Sequence, residues 1–231
     1  MYNYDNFENP EPIRSVSTTN SFLTNTFFRM FLGLLASVVA ALYAYYSGFS
    51  VSMVDSGAYS ILAFAELAVV LIFSLLFKKL SPTAVTVLFF GYAFLNGLTL
   101  STIFAIFSLE SIGITFAATA LLFGSLAFLG YKTDKDISNW GTILTVTLLI
   151  GLILTVFNLF IGNTMLDVFL DWGILFIFFG LTVYDMNKLN AMYESGFCDD
   201  EKFYIYGAME LYLDFINIFI RILSLLGKSK D

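Results

Sequence analysis

The chain has 231 residues, 58% of them apolar and 13% charged, with a formal net charge of −7, no histidine and one cysteine. A soluble domain of this length carries about a quarter charged residues, and an acidic balance excludes a phosphate-neutralising surface for nucleic acid. Cys198 alone excludes an intrachain disulfide; without histidine, any proton sensing near neutrality falls to carboxylates.

Residues 1–25 are polar, hold Pro10, Pro12, Asp5, Glu8 and Glu11, and lack the basic segment that opens a signal peptide. They predict a disordered cytoplasmic tail followed by a first span that is retained. Six apolar runs follow, at residues 27–46, 57–77, 84–107, 112–131, 140–161 and 166–187. Each is long enough to cross about 30 Å of hydrocarbon as a helix. A seventh run, 207–226, is interrupted by charge. The expectation is an all-α integral membrane protein with seven transmembrane helices filling residues 26–227, joined by short connections as antiparallel neighbours. Residues 228–231 form a short polar tail.

Basic residues fix a predicted orientation. Arg14 and Arg29 precede or open the first span, Lys78 and Lys79 follow the second, Lys132 and Lys135 the fourth, and Lys188 and Lys202 the sixth. The alternate connections, 47–56, 108–111 and 162–165, contain no Lys or Arg. This places the amino terminus in the cytoplasm. Lys228 and Lys230 lie outside if the seventh segment crosses fully, which is the favoured reading, and inside if it re-enters.

The few polar groups inside apolar helices are the functional candidates. In the seventh run, Glu210, Asp214, Asn217, Arg221 and Ser224 recur at steps of four, three, four and three. That spacing puts them on one helical face. A charge facing lipid at mid-membrane costs at least ~2.5 kcal/mol, so the stripe must face a protein interior or a wet cavity, and this helix is expected to be surrounded by the others. Asp214 paired with Arg221 is the purely structural alternative, although Glu210 and Asp214 one turn apart repel when both are ionised.

Asp185 sits near the end of the sixth span, where it can either meet Asp214 near the inner mouth or pair locally with Lys188. Glu66 is isolated in the second span and must be protonated or paired, with Arg221 as one available partner. Asn96, Thr99 and Ser101 are small polar residues able to line the same interior or to pack helices. Asp167 and Asp171 are expected to cap the sixth span, Glu110 to lie in an outer loop, and Cys198, beside Asp199, Asp200 and Glu201, to be a solvated, unreactive thiol. Metal-ligand clusters of His and Cys, glycine-rich phosphate loops and nucleophile–base pairs are absent from the sequence, so no enzyme and no resident cofactor are expected.

The stretch Gly207-Ala-Met-Glu-Leu-Tyr-Leu-Asp-Phe-Ile-Asn-Ile-Phe-Ile-Arg-Ile-Leu, preceded by Tyr184-Asp185-Met-Asn and by Asn96-Gly97-Leu98-Thr99-Leu100, resembles the transmembrane Bax inhibitor motif family in its bacterial form. The resemblance covers the whole length. It implies a seven-helix fold with the last helix central, residence in the cell (inner) membrane, and a calcium leak channel whose flux is governed by pH. The implied pH-sensing pair matches Asp185 and Asp214, which would also meet the calcium ion. Glu66 matches an acid on the implied ion path, with Glu210 and Asn217 beside it. Some members carry an arginine late in the second helix that latches onto the pair. Here that position matches Phe77, with Lys78 next, leaving Lys78 and Arg221 as candidate latch or counter-charge. The expected partners are the lipid bilayer, calcium ions and protons.

Two other readings compete. A proton-coupled secondary transporter of a small solute or cation is the alternative, but such proteins show internal repeats and Gly- or Pro-broken helices, and all three prolines lie outside the spans. An intramembrane aspartyl protease needs Gly-x-Gly-Asp and Pro-Ala-Leu segments, and neither occurs.

Overall fold

The computed structural model describes residues 16–56, 58–194 and 201–229, and the described residues are almost wholly helical. The helices are α1 (Val16–Tyr46), α2 (Phe49–Asp55), α3 (Ala58–Leu76), α4 (Pro82–Leu100), α5 (Ile103–Ile106), α6 (Leu109–Lys132), α7 (Ser138–Ile161), α8 (Thr164–Glu194) and α9 (Glu201–Leu226). Six of them, with α5 continuing α4, are long and apolar enough to cross a membrane. Their outward faces are Leu, Ile, Val and Phe, and α7 is the extreme case: Ile143, Leu149, Ile153, Phe157 and Phe160 are all more than half exposed. Such a surface suits hydrocarbon and no aqueous phase.

Local chemistry sets the helix ends. Ser81 caps α4 by accepting from the Ala84 amide, with Pro82 at the first helical position, where its missing N–H costs nothing. Ser108 caps α6 in the same way through the Ser111 amide. The α7–α8 hairpin turns on Gly162 at φ +69°, a backbone that glycine adopts without strain. Asn163 then accepts from the Met165 and Leu166 amides at 3.0 and 3.1 Å and is the cap of α8.

Three expectations are corrected here. The tail predicted to be disordered through residue 25 is helical from Val16 onward, residues 1–15 lying outside the described residues. The connection 47–56 contains α2. The third span, read as continuous to residue 107, breaks after Leu100: the Ser101 and Thr102 hydroxyls bond back to the carbonyls of Leu98 and Thr99 at 2.6 and 3.0 Å, offering the backbone an alternative to the helix ladder. Cys198, Asp199, Asp200 and Lys230 lie outside the described residues.

α9 packs against α1, α4, α6 and α8, while α7 packs on α8 and α3 chiefly on α4. Leu211, Tyr212, Ile218 and Ala208 of α9 have no exposed surface at all. With 26 residues, α9 is about 39 Å long at 1.5 Å per residue. At one end Glu201 pairs with Arg29, and Lys202 donates to the Lys78 carbonyl at 3.3 Å. At the other end the Ser108 amide donates to the Lys228 carbonyl (3.3 Å), and the Lys228 amide donates to Ser111 Oγ (2.9 Å). The last helix therefore runs the full length of the bundle, from the end rich in Lys and Arg to the end that holds the α5–α6 turn.

Candidate functional site

The polar stripe of α9 faces α8. At the basic end, Lys188 Nζ donates to Glu210 Oε1 at 2.6 Å and to the Tyr206 hydroxyl at 2.8 Å, and it lies 4.0 Å from Asp185 Oδ1. The ammonium also sits 5.0 Å from the ring centre of Tyr206 and 5.9 Å from that of Tyr184, a cation–π arrangement. Toward the far end, Arg221 pairs with Asp171, whose other oxygen accepts from Ser224 Oγ at 2.8 Å. Two ion pairs thus bracket the α8–α9 seam.

Asp214 lies between them. It is 3% exposed, and its Oδ2 has no hydrogen-bond partner among the described residues; Glu210 Oε2 is likewise unpartnered. Asp185, Lys188, Glu210 and Asp214 all line one cavity of about 550 Å³, whose remaining wall is built by Gly141, Thr142, Thr145 and Leu148 of α7 together with Tyr184 and Phe178 of α8. Gly141 leaves room there for the Tyr184 ring: a Cβ would stand 2.5 Å from the Tyr184 hydroxyl and 2.2 Å from its ring, which would have to shift. If all three carboxyl groups are ionised, three negative charges face one ammonium, leaving an excess of two that protons or counter-ions must balance.

The structure brings Asp185, Asp214 and Glu210 together and separates the other candidates. Glu66 lies on the opposite side of α9, in a network of its own: Thr99 Oγ1 and Asn96 Nδ2 (3.3 Å) donate to its two oxygens, the Tyr212 hydroxyl donates to Asn96 Oδ1 at 2.9 Å, and Ser37 Oγ meets that hydroxyl at 2.7 Å. Asn217 donates to the Leu213 carbonyl of its own helix at 2.7 Å and does not line the cavity. Arg221 neutralises Asp171, so it is counter-charge neither to Glu66 nor to Asp214, and Asp171 is not a helix cap. Asp167 accepts from Asn158 Nδ2 at 2.5 Å rather than capping α8, while its place in the first turn suits the helix dipole. Lys78 is exposed and has no ion pair among the described residues. Phe77 is buried and packs its ring 4.8 Å from that of Tyr206, and so supports the hydroxyl that holds Lys188.

Sequence reasoning had Lys188 only as a local partner for Asp185 and overlooked Tyr206 as a donor or acceptor. The usable signal was the Lys188–Asp185 spacing together with Tyr206 and Glu210 one turn apart on the next helix. Among the described residues no group of three or more Asp, Glu, Cys or His side chains is gathered closely enough to hold a metal ion.

Length, helix content and lipid-suited faces around a cavity lined by ionisable groups define a multi-pass, all-helical membrane protein. Comparison with known proteins agrees. The inner membrane protein YbhL of Escherichia coli (strain K12) is 35% identical over 217 residues, covering 91% of this chain and 92% of that protein. A protein of Deinococcus radiodurans described as uncharacterized is 33% identical over 94% of both chains, and one of Borreliella burgdorferi, described the same way, is 31% identical over 92% of this chain and 94% of that protein. The family profile described as inhibitor of apoptosis-promoting Bax1 matches residues 19–231. The chain belongs to the Bax inhibitor family of membrane proteins.

Proposed function

We propose that the chain is a calcium-permeable leak pathway of the inner membrane, with its amino terminus cytoplasmic, α9 as a seventh crossing helix, and the Asp185–Asp214 pair controlling the cytoplasmic mouth through protonation. One observation carries this reading: a carboxylate buried to 3% exposure keeps one oxygen unpartnered while its residue lines a cavity together with two further acids and a single lysine. Burial of an idle acid at that depth costs several kcal/mol, and neither helix packing nor capping needs it.

Calcium seeks several hard oxygen ligands at about 2.3–2.6 Å, and clustered carboxylates select cations at pore mouths. The chamber supplies such oxygens without gathering three of them tightly, which suits transit rather than storage. A proton on the pair neutralises it and removes the cation's ligands; losing that proton restores both the ligands and the mutual repulsion of the two acids. The full traverse of α9 supports the seventh crossing, and the gathering of Arg29, Lys78, Lys132, Lys188 and Lys202 toward one end of the bundle supports the orientation.

The test is calcium and potassium flux from proteoliposomes of the purified protein at two pH values, compared with Asp185→Asn and Asp214→Asn. Loss of pH response in both variants is expected. Unchanged flux and pH response in both removes the pair from the mechanism, and saturable counterflow of a solute replaces the leak with coupled transport.

A further inference from the structure

We infer that Lys188 is a built-in counter-ion that occupies the carboxylate chamber, held there by Glu210 and Tyr206, and that a cation entering the chamber must displace it. This rests on the proposed reading that the chamber admits cations, and it adds what decides how easily one enters.

The argument begins with placement. The Lys188 ammonium is clasped by a carboxylate at 2.6 Å and a phenol at 2.8 Å, with Asp185 at 4.0 Å. It lines the same cavity as Asp214, whose Oδ2 is unpartnered and nine-tenths or more buried, and as Glu210, whose Oε2 is also unpartnered. A mobile cation drawn to this chamber seeks the oxygens that the ammonium already neutralises. Because Lys188 is tethered to α8, its competition is intramolecular and does not fall when the bulk ion concentration falls.

The tether is also adjustable. The phenol of Tyr206 is backed by the Phe77 ring at 4.8 Å and the Phe73 ring at 6.4 Å, so its hydroxyl is fixed in place and Lys188 has a preformed seat. A flexible four-carbon stem lets the ammonium leave that seat without moving a helix. Displacement then frees Glu210 Oε1, a hard oxygen ligand in the cavity wall that Glu210 shares with Asp185 and Asp214.

The experiment uses the full-length protein at one pH, with two readouts: calcium flux from proteoliposomes and equilibrium binding of radioactive calcium to the protein in detergent. Lys188→Met removes the competitor and is expected to lower the half-saturating calcium concentration at least tenfold and to raise flux at low calcium. Lys188→Arg restores a tethered charge and is expected to reverse most of that change. Tyr206→Phe leaves every charge and the Phe77 packing in place while removing one hydrogen bond to the ammonium; it is expected to shift half-saturation in the same direction by about three- to tenfold, which covers the case in which Lys188→Met fails to fold. Tighter binding in both variants without flux in any protein supports the counter-ion and overturns the leak. Flux in the wild type with half-saturation unmoved by Lys188→Met and Tyr206→Phe overturns the counter-ion and leaves the leak standing.

Discussion

Replacing Gly97 by alanine tests the packing that holds the bundle together. Gly97 lies in α4 where it crosses α1, and a Cβ there would stand 2.3 Å from the Ser37 carbonyl oxygen, 2.7 Å from Ser37 Cα and 2.8 Å from the Ala40 Cβ. Because the obstacles include backbone, no rotamer change relieves them. Bringing the shortest contact to 3.0 Å requires the helices to part by at least 0.7 Å, the difference between 3.0 and 2.3 Å. Ser37 Oγ donates to the Ala93 carbonyl across this crossing at 2.7 Å, and the same displacement stretches that bond to the edge of hydrogen-bonding range. Overpacking costs about 1–3 kcal/mol, the weakened bond about 1 kcal/mol, and alanine returns about 1 kcal/mol of helix propensity. The expected net loss is about 2 kcal/mol, read as a melting-temperature drop of about 4–8 °C for the purified protein in detergent. Gly91 on the same helix is the control, since a Cβ there meets no heavy atom within 4 Å: Gly91→Ala is expected to melt no lower than wild type. Equal melting temperatures for Gly97→Ala and Gly91→Ala would refute the close-crossing argument.

Two further outcomes follow from the ion pairs and loops. Arg221→Met leaves Asp171 with Ser224 as its remaining partner, at a site where the two charged side chains are 19% and 15% exposed; a loss of about 2–3 kcal/mol is expected, below the fully buried range because water reaches the pair, and the Asp171→Asn, Arg221→Met double variant is expected to recover more than half of it in a thermal-melt cycle. Asp136, in the loop before α7, accepts from the Ser138 amide at 2.9 Å, and bonds from Ser138 hold its carboxyl below the ordinary carboxylate range. Its stabilising contribution is therefore complete above the unfolded-state value near 3.8 and fades as pH falls through the lower folded value. Melting curves of wild type and Asp136→Ala should differ at pH 6 and converge in strong acid; a constant difference at every pH contradicts this.

The helical face of α9 was legible because its period is intrinsic: five polar residues at alternating steps of four and three can only form one stripe. The partners of that stripe were not legible. Arg221 finds Asp171 and Glu210 finds Lys188 because α8 and α9 lie against each other with a particular rotation and offset, and neither quantity is written into the spacing of a single helix. Whether Asp185 meets Asp214 or only Lys188 was equally open; both acids line the same cavity, with α8 continuing to Glu194 and α9 beginning as early as Glu201. Tyr212 is not among the residues the sequence singled out, yet its hydroxyl joins Ser37 to Asn96 and through it to Glu66. The break after Leu100 was hidden for a different reason: hydropathy registers side chains, whereas the Ser101 and Thr102 hydroxyls act on the backbone.

The wall that α7 supplies to the carboxylate chamber has a thermodynamic consequence. α7 leans on α8 alone among its extensive contacts and offers the rest of its surface to the surrounding medium. Bilayer thickness and lateral pressure therefore act on a helix with one extensive protein neighbour, and any tilt it takes alters the room left for the side chains behind it. For this protein, acyl-chain length belongs with pH and salt among the variables to be fixed in any reconstitution.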